Sequence, residues 1–260
     1  MSLDAERQII HYRLELDGQE ALELQVRLGE ACAPVQNSPE WTRLAFQQCP
    51  HCPLKAEIQR DCPFALALQQ LVHLLAGHAS FEAVGVQVRH RGREVRQHTT
   101  LQRAAGSLLG LLGATSGCPH TRFLEPMAWF HLPFSSSDET LFRVLGTYLL
   151  GQHLKAQKGL SADWQLEGLR ESYRNLRKVN QGIAKRLQVA CNEDSSLNGL
   201  VLLDLLAADT LYSLEQSEGE LDGYFSWYFD ALQMSRFDSQ LTSSGPAIYC
   251  SDSVSPAKHR

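Results

Sequence analysis

The sequence predicts an α+β fold, in which N-terminal β-hairpins and a helix join a C-terminal bundle of long α-helices. Two observations lead to this prediction. Before residue 99, short segments alternate apolar and polar residues, whereas beyond Thr99 the apolar spacing becomes that of helices and stays so. The chain has 260 residues, of which 43% are apolar and 20% charged, so it can bury a core and wholesale disorder is excluded.

Two hairpins are predicted from alternation and turn chemistry. Residues 10–16 and 22–28 each present one apolar face, and Asp17-Gly18 lies between them. A second hairpin is predicted over residues 81–98, with its turn at His90-Arg91-Gly92.

The helices are predicted from apolar spacing and from their caps. Pro63 occupies the tolerated first-turn position of the first helix, and Ser136 with Glu139 has the spacing of a capping box. The predicted helices run over about 64–78, 100–112, 137–149, 163–191 and 197–214.

These elements divide the chain into three regions. Residues 1–98 form the hairpin and cysteine-motif region, and residues 99–234 form a helical region expected to pack with the first as one domain. Residues 235–260, rich in serine, are expected to be a flexible tail. No apolar stretch is long enough for a membrane span, so no membrane association is expected.

Four of the seven cysteines are followed directly by proline. Proline fixes φ near −65°, so the chain curls behind the sulfur and later backbone N–H groups can point at the thiolate. The spacing Cys-x2-Cys-x9-Cys-x55-Cys could bring four thiolates around one ion, with the last supplied by the helical region. We therefore predict a metal site formed by Cys49, Cys52, Cys62 and Cys118, called below the four Cys-Pro cysteines.

Four thiolates suit either structural Zn²⁺ or a [4Fe–4S] cluster, and zinc is preferred. Four protein ligands close a zinc site, which favours a structural role over hydrolysis. His51 and His120 stand beside the cysteines and could replace one ligand, although a place outside the ligand set is favoured. The remaining thiols are interpreted differently: Cys32 and Cys191 as small buried apolar residues, and Cys250 as a tail thiol.

A redox function is the first alternative. Cys49-Pro50-His51-Cys52 resembles the active-site tetrapeptide of the periplasmic disulfide oxidases of the thioredoxin superfamily, and the resemblance implies an exposed, low-pKa thiolate at Cys49. The resemblance covers four residues only, no βαβ pattern leads into them, and two further Cys-Pro pairs stay unexplained. The metal site is therefore preferred.

Charge supplies a second alternative. The net charge is −5, but residues 170–186 hold six basic residues, whereas residues 187–235 hold nine acids and no Lys or Arg. The simplest interpretation is that two adjacent helices of opposite charge attract each other, and a nucleic-acid-binding regulator is the lesser one. His131 is interpreted as a hydrogen-bonded core residue, and the aromatic run at 224–229 as core in preference to a partner-binding surface.

The runs WTRLAFQQCPHCPL, DCPFAL, SGCPH and PMAWFHLPFSSSDETLFRVLGTYLLGQ resemble a family of bacterial cytoplasmic proteins of unknown function. The resemblance implies a bacterial origin and no activity. The start of the sequence shows no signal peptide, and we expect a reducing cytoplasm. No catalytic motif stands out, so we expect a non-enzymatic metal-binding protein, structural or sensory, with a protein partner left open.

Overall fold

The computed structural model describes residues 8–30, 37–190, 195–216 and 221–238. The strands are β1 Ile9–Glu15, β2 Leu22–Arg27, β3 Ala83–His90 and β4 Arg93–Thr100. The helices are α1 Pro63–Leu74, α2 Leu101–Thr115, α3 Glu125–Trp129, α4 Ser137–Gln157, α5 Glu167–Ala190, α6 Ser195–Gln216 and α7 Asp222–Asp238. The predicted α+β class is confirmed.

The four strands form one antiparallel sheet in the order β2-β1-β3-β4. Both predicted hairpins are present. The β3–β4 turn needs two residues with positive φ, and Arg91 and Gly92 adopt φ of 54° and 72°. Gly18 has φ of 70° in the β1–β2 connection, a conformation that costs glycine little.

One face of the sheet lies in the core. Alternate residues of β1 and β3 are buried, and they pack in one hydrophobic cluster with the apolar faces of α1 and α2. At about 25 cal/mol per Å² of apolar surface removed from water, this burial is the main favourable contribution to folding. The cluster extends to α5 through Val179, Ile183 and Leu187, so the helical half shares the core of the hairpin half.

The predicted helices are present, with differences at their ends. Ser136 and Glu139 form the predicted capping box of α4. Thr100 precedes α2 as predicted, but its hydroxyl does not cap the helix and is buried without a hydrogen-bond partner in the described chain. α5 begins at Glu167 and not near Asp163, because the Asp163 carboxylate accepts hydrogen bonds from the Gly168 N–H and the Tyr148 hydroxyl and holds the preceding loop.

Opposite charges join α5 to α6, as the sequence predicts. Arg174 pairs with Glu215 at 2.8 Å and Arg177 with Asp204 at 3.4 Å. These contacts use basic side chains of α5 that a nucleic-acid surface would need.

The chain divides into two compact units, residues 1–218 and 219–260. The second contains α7, which the sequence analysis does not predict and which extends past the expected start of the tail at 235. The prediction that the aromatic run belongs to the core is wrong, because the side chains of Tyr224, Trp227, Tyr228 and Phe229 are all at least half exposed. Residues 239–260, and Cys250 with them, lie outside the described residues, as do Cys32 and Cys191.

None of the helices in the described parts of the chain combines the length and apolar character needed to cross a bilayer.

Candidate functional site

The four Cys-Pro cysteines line one small cavity of about 20 Å³, called here the cysteine cavity. All four are free thiols; Cys118 is buried and the other three are half-buried. The rest of the wall is mostly apolar and is contributed by Leu44, Leu54, Phe64, Val179, Ile183 and Arg186, among others. Cys118 therefore joins three cysteines that lie at least 56 residues earlier in the sequence, and all four border one cavity.

The first two cysteines belong to a tight turn. The Cys52 N–H donates to the Cys49 carbonyl at 3.0 Å, which closes the turn around Pro50 and His51. The Gln48 side chain donates to the Leu54 carbonyl at 2.9 Å and fixes the ends of the loop. No helix follows Cys52, so this pair lacks the helix N-terminus on which the disulfide-oxidase resemblance depends.

Cys62 lies at the N-terminus of α1, as predicted. Pro63 is the first helical residue, the Cys62 N–H donates to the Thr42 carbonyl at 2.8 Å, and the Cys62 carbonyl accepts from the Leu66 N–H at 2.9 Å. The side chain makes no capping hydrogen bond, so the sulfur is available at the positive end of the helix dipole.

Cys118 follows α2 in a turn stabilised by hydroxyl groups. Its N–H donates to the Ser116 hydroxyl oxygen at 3.1 Å, and the Thr121 hydroxyl donates to the Gly113 carbonyl at 2.6 Å. Burial raises the pKa of the Cys118 thiol, whereas the backbone N–H groups of His120 and Thr121 hydrogen-bond to its sulfur and act to lower it. The predicted N–H groups behind the sulfur are thus present at this cysteine.

Helix α5 closes the cysteine cavity from the other side. A Cβ placed on Gly182 would lie 2.8 Å from the Cys49 sulfur, closer than atoms normally approach. A glycine at this position therefore allows the helix backbone to pack directly on that sulfur.

Arg186, one turn further along α5, is only 1% exposed. Its Nη1 donates to the carbonyls of Trp41 and Arg43, both at 2.7 Å, and its Nη2 donates to the Leu44 carbonyl at 3.3 Å. Its Nε is buried with no partner among the described residues. A buried cation therefore stands in the wall of the cysteine cavity, held by neutral carbonyls.

The electrostatics of Cys49 reflect this arrangement. Burial, with smaller contributions from Cys62, Cys118 and Cys52, raises the pKa of its thiol to about 11, and Arg186 acts in the opposite direction. The four sulfurs thus act on one another, and Cys49 is a neutral thiol at pH 7 when no cation is bound.

The rings of the neighbouring His51 and His120 lie against each other, with centroids 4.1 Å apart and planes tilted by 37°. His51 Nε2 donates to the Asn175 carbonyl at 3.1 Å, and His120 Nε2 donates to the His51 carbonyl at 2.9 Å. Burial and the nearby His120 lower the pKa of His51. Each Nε2 is engaged with a backbone carbonyl, whereas Nδ1 of His51 is buried without a hydrogen-bond partner among the described residues.

Within the described ranges, no three His, Cys, Asp or Glu side chains are drawn together closely enough to form a metal-binding group. The four sulfurs border the cysteine cavity without converging on one point.

His131 lies apart from the cysteines and is hydrogen-bonded as predicted, but it is half-buried and does not belong to the core. Its Nε2 is 2.6 Å from the Tyr12 hydroxyl, which in turn is 2.8 Å from the Ser107 hydroxyl. Burial lowers the pKa of His131 to about 3, so the ring is neutral at pH 7.

Gly182 and Arg186 belong to the wall of the site, although the sequence pattern does not predict a place there for either. Among the basic residues of α5, Arg186 is expected on a charged helical surface. The spacing of Arg186 could have predicted its burial, because it lies three residues after Ile183 and seven after Val179, on the apolar stripe of the helix.

Neither the curated proteins nor the solved structures provide a significant match to the chain. A family model described as a domain of unknown function (DUF6901) matches residues 6–226. The predicted membership in a family of unknown function is confirmed, and the bacterial origin stays a prediction.

Proposed function

The chain belongs to the DUF6901 family, and from its own residues we propose that it is a metal-binding protein in which the four Cys-Pro cysteines bind one structural Zn²⁺. The observation that carries the proposal is that four Cys-Pro pairs, selected on sequence alone, border one cavity. The remaining three cysteines lack the proline and serve as internal controls.

The size of the cysteine cavity favours a single ion. Its volume of about 20 Å³ is little more than the roughly 10–15 Å³ that one water molecule needs. A cubane cluster has eight atoms in its core and would require the walls to move apart. Zn²⁺ is therefore preferred to [4Fe–4S].

The charge around the cavity also suits a four-thiolate site. Four thiolates and one Zn²⁺ leave two negative charges in a buried place, which is costly without compensation. Arg186 supplies a buried positive charge, and the N–H groups of His120 and Thr121 supply hydrogen bonds to the Cys118 sulfur. Hydrogen bonds to coordinating sulfurs are part of how proteins stabilise such sites.

Binding requires the thiols to lose their protons and the sulfurs to converge. Moving χ1 of a cysteine from one staggered position to the next displaces the sulfur by about 3 Å, so rotation can gather sulfurs that already border a small cavity. The raised pKa of Cys49 makes this step dependent on pH, because the metal must displace its proton.

The two alternatives have less support. A disulfide oxidase needs a lowered pKa at its attacking cysteine, and burial raises the pKa of Cys49 instead. A nucleic-acid surface on α5 would need free basic residues, whereas Arg174 and Arg177 are paired with carboxylates of α6.

The proposed role is a clamp. An ion with four protein ligands has no open position for a substrate, and it would join the 49–52 turn, the start of α1 and the end of α2, so its binding energy would add to folding. Free thiols persist in reducing compartments, and we assign the protein to the cytoplasm on that ground. A sensory role is compatible with the same chemistry.

The test is metal analysis of full-length protein purified anaerobically, with a visible spectrum. We expect one zinc per chain and no colour. Single Cys→Ser changes at each of the four Cys-Pro cysteines should lose the metal, whereas the same changes at Cys32, Cys191 and Cys250 should retain it.

Cobalt substitution separates loss of a ligand from loss of the fold. Co²⁺ bound by four thiolates gives intense thiolate-to-metal absorption, which weakens stepwise as sulfur ligands are replaced in a folded protein. A brown protein that contains iron would show that the site holds the [4Fe–4S] cluster and not Zn²⁺. Equal metal loss in both sets of cysteines, or no metal in the unaltered protein, would refute the site.

A further inference from the structure

A second and larger cavity lies among the helices of the first unit. It has a volume of about 560 Å³ and is lined by α2, α3, α4, α5, α6 and the loop before α4; we call it the helical cavity. None of the four Cys-Pro cysteines borders it. Small-molecule sites commonly have volumes of about 300–1,000 Å³, so its size is that of a ligand pocket.

Small residues of α2 help to create this space. Gly106, Ser107, Gly110 and Ala114 all line it at the one-turn spacing of a single helix face. Opposite them lie apolar side chains of other elements, including Met127 and Leu206. Most of the wall is thus suited to an apolar body.

One charged side chain in this wall stands out. Arg143 of α4 is half-buried and donates to the carbonyls of Met127 and Phe130, both at 3.0 Å, and to the Ser135 hydroxyl at 3.3 Å. In the described chain it forms no ion pair with a carboxylate. The Glu139 carboxylate attracts the guanidinium from a distance, and it accepts the Ser136 N–H at 2.8 Å in the capping box.

Neutral hydrogen-bonding groups accompany Arg143. His131 and Ser107 both line the helical cavity, and both are joined to the buried Tyr12 hydroxyl. Tyr173, hydrogen-bonded to Thr210, lies within electrostatic range of the guanidinium. These neutral groups therefore share the wall with an arginine whose guanidinium, among the described residues, donates its hydrogen bonds to neutral oxygens.

The charged side chains of the wall sum to a positive charge. Arg103 and Arg143 are opposed by Asp209 alone among the Asp and Glu residues that line the helical cavity, so the described wall has one excess positive charge. We propose that the helical cavity binds a small carboxylic acid with an apolar body, whose carboxylate pairs with Arg143. This inference is independent of the zinc proposal.

The test compares octanoate with 1-octanol, which has the same chain without the charge. Binding to the full-length protein as purified is measured by titration calorimetry at up to millimolar concentrations of each probe. We expect octanoate to bind more tightly than octanol, and Arg143→Met to weaken octanoate by about tenfold or more, since a charge-assisted hydrogen bond is lost. Octanol binding should change little in that variant.

Two further variants distinguish binding from folding. Arg122→Met removes an exposed arginine that does not line the helical cavity and should leave both affinities unchanged. Met127→Trp fills the cavity and should weaken octanoate and octanol together. No binding of octanoate, equal binding of both probes, or equal losses of both in Arg143→Met would overturn the proposal.

Discussion

Replacing Arg186 with leucine should destabilise the protein by about 4 kcal/mol. The guanidinium donates to the carbonyls of Trp41, Arg43 and Leu44. The Arg43 carbonyl also accepts from the Phe46 N–H at 3.1 Å, so in the described chain two buried carbonyls lose their donor. Each orphaned carbonyl costs about 1–3 kcal/mol, which gives about 2–6 kcal/mol for the pair.

The free energy of unfolding is measured by urea denaturation followed by circular dichroism, in chelator so that metal binding does not contribute. Arg174→Leu is the matched control, because Arg174 lies on the same helix in an exposed ion pair with Glu215. Exposed pairs contribute about 1 kcal/mol or less. If Arg186→Leu costs no more than Arg174→Leu, the assigned role of the buried guanidinium is wrong.

Three further predictions follow from contacts described above. Gly182→Ala should weaken zinc binding, measured by competition with a metal chelator, because the added methyl group would lie 2.8 Å from the Cys49 sulfur. The control is Gly151→Ala, which has open space around it and should leave the zinc affinity unchanged in that assay. Burial lowers the pKa of His131 to about 3, against an ordinary value of 6.5. Between these pH values the unfolded chain binds one more proton than the folded chain, so the free energy of unfolding falls as the pH drops from about 6.5 to about 3. His131→Gln should make this fall shallower by up to about 1.4 kcal/mol per pH unit, and an unchanged slope in urea denaturation at several pH values would contradict this. Ser136→Ala should lower the free energy of unfolding by about 1 kcal/mol through loss of the α4 cap, and no change in the urea midpoint would contradict that role.

The sheet was predictable because its signals are local. Each hairpin is marked within fewer than twenty residues. The first has alternation along β1 with a turn at Asp17-Gly18, and the second has alternation along β3 with a turn at Arg91-Gly92. The pairing of β1 with β3 was not predicted, since it joins strands separated by the whole cysteine region. α7 was missed for another reason: its aromatic residues surround the helix, so no apolar stripe marks the helical period.

The residues of the candidate site also fall into two groups, those that a local sequence pattern marks and those that only the packing reveals. That the four Cys-Pro cysteines border one cavity could be predicted, because each is followed by the same neighbour, proline. Gly182 and Arg186 could not be assigned to the site from such a pattern, because their role depends on the packing of α5 against a loop more than a hundred residues earlier. A glycine in a helix and an arginine among other basic residues have ordinary explanations until that packing is known.

The closure of the cysteine cavity by α5 sets an order of events during protein synthesis. Arg186 follows Trp41, its carbonyl partner, by 145 residues. At roughly 5–20 residues per second, the ribosome adds that stretch in about 7–30 s. The turn containing Cys49 and Cys52 therefore emerges well before its α5 wall exists, and for those seconds its thiols are open to metal ions and oxidants that the finished fold covers.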